Sequence, residues 1–148
     1  MALKGDRNVL ETDISFFINV TAEKGQLVSL STGASGAAMD NSVALATTAS
    51  GDGTDPLGII LNDVVDIDQT RQHINWQKDE VQKGGKCTIL RKGTVVTDQV
   101  TGTPAAGDTA YLNANGTVGA QVGSSAAVGK FLSSKDANDF CKVAINLP

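Results

Sequence analysis

The sequence predicts an all-β fold: a single compact β-barrel or β-sandwich domain of short antiparallel strands, carrying an extended N-terminal arm. From residue 14 onward apolar residues recur with period two or in short runs, the pattern of half-buried or fully buried strands. Turn residues interrupt these runs at roughly ten-residue spacing, as in sandwiches and barrels. With 148 residues, 16 glycines, 41 % hydrophobic and 19 % charged residues, the chain is apolar enough for one core and short for two.

The elements follow in order. Residues 1–13 are polar and poorly periodic, and Gly5 and Asn8 discourage a helix, so they read as an arm outside a β domain at 14–148. The arm mixes Lys4, Asp6, Arg7, Glu11 and Asp13 with the spaced apolar residues Leu3, Val9 and Leu10. It buries too little surface to order itself, which predicts mobility in isolation and a folded β domain without it. Such a segment can add a strand to a partner's sheet edge, with Leu3, Val9 or Leu10 filling pockets.

In residues 14–20, Ile14, Phe16, Ile18 and Val20 share one apolar face. Phe17 then points away between Ser15 and Asn19, and a large aromatic on a polar face marks a subunit contact. Further strands are expected at 26–30, 43–47, 57–62, 87–91, 94–100, 109–112, 117–122, 128–133 and 140–147. Connectors lie at Glu23-Lys24-Gly25, Gly51-Asp52-Gly53, Gly84-Gly85, Lys92-Gly93, Ala106-Gly107-Asp108 and Asn113-Ala114-Asn115-Gly116. In the last of these Asn115-Gly116 signals a hairpin, because both residues accept positive φ. Residues 34–49 and 101–106, rich in small residues, suit loops.

The stretch 70–83 is the least strand-like. Ile74 and Val81 are compatible with one short helix, an irregular excursion or a hairpin. Trp76 within it is a staple holding a long loop to the body or a contact anchor for a partner. Two segments echo each other. A glycine-entered strand at 24–30 precedes Pro56-Leu57-Gly58-Ile59-Ile60-Leu61, and another at 106–112 precedes Ala127-Val128-Gly129-Lys130-Phe131-Leu132. Common turn chemistry occurring twice is the alternative account.

Chemistry is scarce. The one histidine, His73, allows no His-pair metal site, and no nucleophile elbow, Walker loop or dinucleotide fingerprint is present. The chain therefore reads as a non-enzyme with no catalytic residue, metal or cofactor. Asp63, Asp66 and Asp68 read as a solvated acidic edge rather than calcium ligands. Cys87 and Cys141 alternate with apolar residues and read as two buried free thiols. A net charge of −4 without a basic cluster speaks against nucleic acid, whose binding needs phosphate neutralisation. No apolar run is long enough for a membrane helix, and no apolar leader is visible at the start.

Leu27-Val28-Ser29-Leu30 after a glycine turn, Pro56-Leu57-Gly58-Ile59-Ile60-Leu61-Asn62-Asp63-Val64 and Gly93-Thr94-Val95-Val96 are followed by a second group. It comprises Ala106-Gly107-Asp108-Thr109-Ala110-Tyr111-Leu112, Gly116-Thr117-Val118 and Val128-Gly129-Lys130-Phe131-Leu132. From Gly25 to the C-terminus this order resembles the capsid decoration, or head cement, proteins of tailed bacteriophages. The resemblance implies a structural virion protein, made in the host cytoplasm, on the outer surface of the head. It also implies a homo-oligomer, a trimer in many members, that binds the major capsid protein and stabilises its lattice. The acidic charge suits a site away from packaged DNA. A head-fibre, tail or baseplate accessory domain, and a carbohydrate- or ligand-binding β module, are the alternatives.

Overall fold

The computed structural model describes residues 3–5, 7–18, 21–30, 45–48, 55–66, 80–113, 116–120 and 126–147. Among the described residues thirteen strands follow in order: β1 (Asn8–Asp13), β2 (Phe17–Ile18), β3 (Leu27–Leu30), β4 (Leu45–Thr48), β5 (Pro56–Ile60), β6 (Asp63–Val65), β7 (Glu80–Gln82), β8 (Ile89–Thr97), β9 (Val100–Thr101), β10 (Thr109–Leu112), β11 (Val118–Gly119), β12 (Ala127–Phe131) and β13 (Cys141–Asn146). Eleven form one sheet ordered β2-β4-β3-β5-β8-β13-β12-β10-β11-β9, with β1 added on β8. β6 and β7 form a separate parallel pair. The all-β class is as the periodicity requires, but the sheet is mixed, since β2 runs parallel to β4 and β9 parallel to β11.

Three local expectations are corrected. Residues 14–20 do not make one strand: the Asp13 carboxylate accepts from the Ser15 amide at 2.8 Å, the chain leaves the sheet, and only Phe17–Ile18 returns as β2. Ile14 is consequently 66 % exposed while Ile18 is fully buried; Val20 lies outside the described residues. Lys92-Gly93 is not a connector either, because β8 runs through it without a break. Gly93 is needed there because β1 and β13 flank it from both sides. Its φ is +146°, and a Cβ would stand 2.1 Å from the Asn8 carbonyl oxygen. Finally, residues 8–13 of the expected arm are part of the sheet, with β1 laid antiparallel on β8 from Asn8↔Thr94 to Asp13↔Ile89.

Among the described residues the sequence echo extends to a structural repeat of strand pairings and hydrogen bonds. In the first half the Gly25 amide donates to Ile60 O (2.9 Å), Ile60 N to Gln26 O (3.0 Å), Leu30 N to Asp55 O (3.0 Å) and Leu61 N to Thr88 O (2.9 Å). In the second half Gly107 N donates to Phe131 O (2.8 Å), Phe131 N to Asp108 O (2.8 Å), Leu112 N to Ala126 O (2.9 Å) and Leu132 N to Lys142 O (2.8 Å). Side-chain caps repeat as well. Gln26 accepts from Glu23 N at 2.9 Å as Asp108 does from Ala105 N at 2.8 Å. Asn62 accepts from Thr88 N at 3.1 Å as Ser133 does from Lys142 N at 2.9 Å.

Strand for strand, β2-β4-β3-β5, the start of β8 and β1 correspond to β9-β11-β10-β12, β13 and the later part of β8. Leu90 and Ile89 oppose Thr12 and Asp13 as Ala144 and Val143 oppose Thr94 and Val95. Strand β8 thus belongs to both units. It closes the first and opens the second.

The two units bury equivalent cores. Ile18, Val28, Leu57, Ile60, Cys87 and Ile89 cluster in the first; their counterparts Val100, Ala110, Val128, Phe131, Cys141 and Val143 cluster in the second. Each core needs a cover, and the covers differ. Leu27, Ile59, Leu61 and Leu90, on the opposite face of the first unit's strands, join the second unit's cluster. The first unit's core is closed instead by an insertion between β5 and β8, with Val64 of β6 inside and Val81 of β7 packed on it. Strands β3 and β5 are therefore covered on both faces, which explains their nearly unbroken apolar runs.

Candidate functional site

The outermost ladder of the second unit shows what a filled edge looks like. There β8 is bonded on one side to β13 (Ala144↔Thr94) and on the other to the N-terminal residues: Asn8 pairs with Thr94, the Lys4 amide donates to Val96 O at 2.9 Å, and Leu3 bridges Thr97. Leu3 is 4 % exposed and lies in the main core. Lys4 fastens the same segment, its ammonium 3.6 Å from Asp136 and 4.6 Å above the Phe140 ring. The expected availability of Leu3 to a partner pocket is thus corrected: the core of its own chain takes the side chain.

The corresponding edge of the first unit is the outer side of β1. Among the described residues β1 pairs with β8 alone. It is exposed along almost its whole length, and Val9 is 43 %, Leu10 72 % and the adjoining Ile14 66 % exposed. β1 is held to the body by its inner edge and by two ion pairs, Glu11–Lys92 at 3.6 Å and Asp13–Arg91 at 3.9 Å. The Asp13 carboxyl is held below the usual aspartate range, first by hydrogen bonds from the Ser15 hydroxyl and amide and then by Arg91. A Leu10 bulge, where the register shifts between Val9 and Glu11, re-aims the edge locally.

The other expected site residues are dispersed. Phe17 is half-buried, bridges Lys86 through the backbone, and carries the Lys86 ammonium 5.1 Å above its ring. That contact supplies an intrachain reason for an aromatic between two polar neighbours. Trp76 lies outside the described residues. Asp63 accepts from the Lys24 amide at 2.8 Å and Asp66 pairs with Lys83 at 3.9 Å, so each has a structural task; Asp68 lies outside the described residues. Cys87 and Cys141 are free and buried, at equivalent places in the two units. Burial pushes the Cys87 thiol up to about 11 and raises Cys141 as well, which suits packing rather than chemistry. Sequence reasoning missed Ile14 as an exposed residue because the Asp13–Ser15 turn that ejects it is a side-chain event without periodic signal.

Comparison with protein families agrees with a structural role. The family of structural cement proteins described as E217 gp24/Pam3 gp6 matches residues 5–146. The chain belongs to the phage structural cement protein family. The match takes in β1 and the 70–83 stretch as well as the part from Gly25 onward whose strands resemble decoration proteins. No curated protein matches the chain. As a cement protein it is a structural component of a phage capsid, in a family that is not an enzyme class.

Proposed function

We propose that this cement protein binds the outer surface of the phage head and stabilises the major capsid protein lattice from there, as a homo-oligomer and specifically a trimer. The observation that carries the reading, beside the family itself, is the open edge of β1 with Val9 and Leu10 exposed on it. An acidic protein with net charge −4 suits the outer shell, since packaged DNA repels it. The contact of one copy is small, and repetition over a lattice multiplies it. Phe17, half-buried beside Lys86, is assigned to the contact between copies.

The test is co-sedimentation with undecorated heads, combined with solution mass and cryo-EM of the decorated particles. Saturable binding, density outside the shell and a trimer mass are expected. Density at a tail or fibre, or none on the head, overturns the reading. A Phe17→Ser protein that stays folded and keeps the native mass removes Phe17 from the interface.

A further inference from the structure

The repeat makes one half of the molecule a guide to what the other half lacks. We propose that the outer edge of β1 is a strand-acceptor site, and that its occupant is an extended, apolar segment of the major capsid protein running antiparallel to β1. This rests on the capsid-binding reading above and specifies its partner.

The equivalent edge, on β8 in the second unit, is filled by an extended segment of the chain itself. That segment runs antiparallel to β8, donates the Lys4 amide to Val96 O at 2.9 Å, and sinks one apolar residue, Leu3, beside Thr97. Thr94 and Val95 of that edge correspond to Thr12 and Asp13 of the first unit, where β1 ends. The capsid segment therefore bonds to the outer edge of β1 and covers Leu10 and the adjoining Ile14, which are 72 % and 66 % exposed. An exposed edge of this kind is blunted by lysine, proline, charge, a bulge or a covering loop; β1 has the Leu10 bulge and two carboxylates but neither lysine nor proline, and among the described residues no further strand pairs with it.

Area decides between a capsid segment and a second copy of this chain. Six residues make a strip about 20 Å long and one strand wide, well short of the roughly 800 Å² per partner that a stable free complex buries. A contact this small works where copies are held on a lattice. The test is hydrogen exchange of the full-length protein, free and bound to undecorated heads, beside an L10K/I14K variant whose thermal melting checks its fold.

On heads the amides of residues 9–15 should exchange at least about tenfold more slowly, and the variant should fold normally yet lose about tenfold in occupancy at limiting concentration. Binding with unchanged exchange at 9–15, or full occupancy by a folded variant, overturns the strand-acceptor site while leaving capsid binding intact. Protection at 9–15 that grows with concentration in the free protein assigns the edge to a second copy and overturns the capsid segment. Absence of wild-type binding overturns both readings at once. If the variant misfolds, the exchange comparison on the wild-type protein decides alone.

Discussion

Single atoms set the limits at several places in this fold. A Cβ at Gly129 would stand 1.8 Å from the Ala144 carbonyl oxygen, and one at Gly58 2.3 Å from that of Leu90. Both are backbone obstacles that cannot rotate away, so Gly129→Ala and Gly58→Ala should each cost about 3 kcal/mol, the upper part of the overpacking range. Gly107 has φ +96° but open space around it, and Gly107→Ala should cost only about 1 kcal/mol of left-handed strain. Urea unfolding of the three variants gives the order directly. The thiols offer a second reading at this scale. With Cys87 raised to about 11 by burial and Cys141 buried at the equivalent position, Ellman's reagent at pH 8 should leave both unlabelled in the native protein and titrate both in guanidinium. Rapid native labelling of either would show that its unit opens locally.

Strand β1 is the element whose behaviour departs furthest from its composition. Its six residues carry two acidic groups and only two apolar side chains, which taken alone describes a mobile segment. What orders it is the long edge of β8, a partner eighty residues away that no local window contains. Two consequences follow. Leu3→Ala, which empties a core position, should cost about 2–4 kcal/mol, and deletion of residues 1–13 should destabilise the protein rather than leave the domain intact; thermal melting distinguishes the two. The attachment of β1 also depends on pH. The folded Asp13 carboxyl sits below its ordinary value of 3.8, so its contribution is fully present above that value and is lost as pH falls from there through the lower folded value. Exchange of the β1 amides, corrected for intrinsic rates, should therefore quicken across that window relative to β13, and Asp13→Asn should abolish the difference.

Across the whole molecule, the strands with a clean alternation or an unbroken apolar run were legible from the sequence: β3, β5, β10, β12 and β13 lie within one or two residues of where the pattern places them. These strands pack against covered cores, so burial writes itself into the pattern. β6 and β7 are only three residues each and belong to an insertion, where length erases any period. The repeat was legible only as two glycine turns followed by two glycine-bearing strands. Its remainder was hidden because the units face different surroundings: Leu27, Ile59 and Leu90 of the first are fully buried, whereas their counterparts Thr109 and Lys130 are exposed and Ala144 half-exposed. The exposed face of the second unit is polar as a terminal repeat requires. Lys130→Ile with Thr109→Leu, copying the first unit, should therefore leave secondary structure unchanged but promote concentration-dependent association, visible by light scattering.

The sharing of β8 also sets a timetable. Asn8 must find Thr94 and Asp13 must find Ile89, so the first unit is not closed until the opening strand of the second exists. During synthesis the early strands wait, with their apolar faces open, while the ribosome makes β8. Closing such distant pairs before they are rewarded makes folding slow, in the millisecond-to-second range of long-range β topologies. A stopped-flow refolding trace should show β1 and β8 gaining protection in one phase.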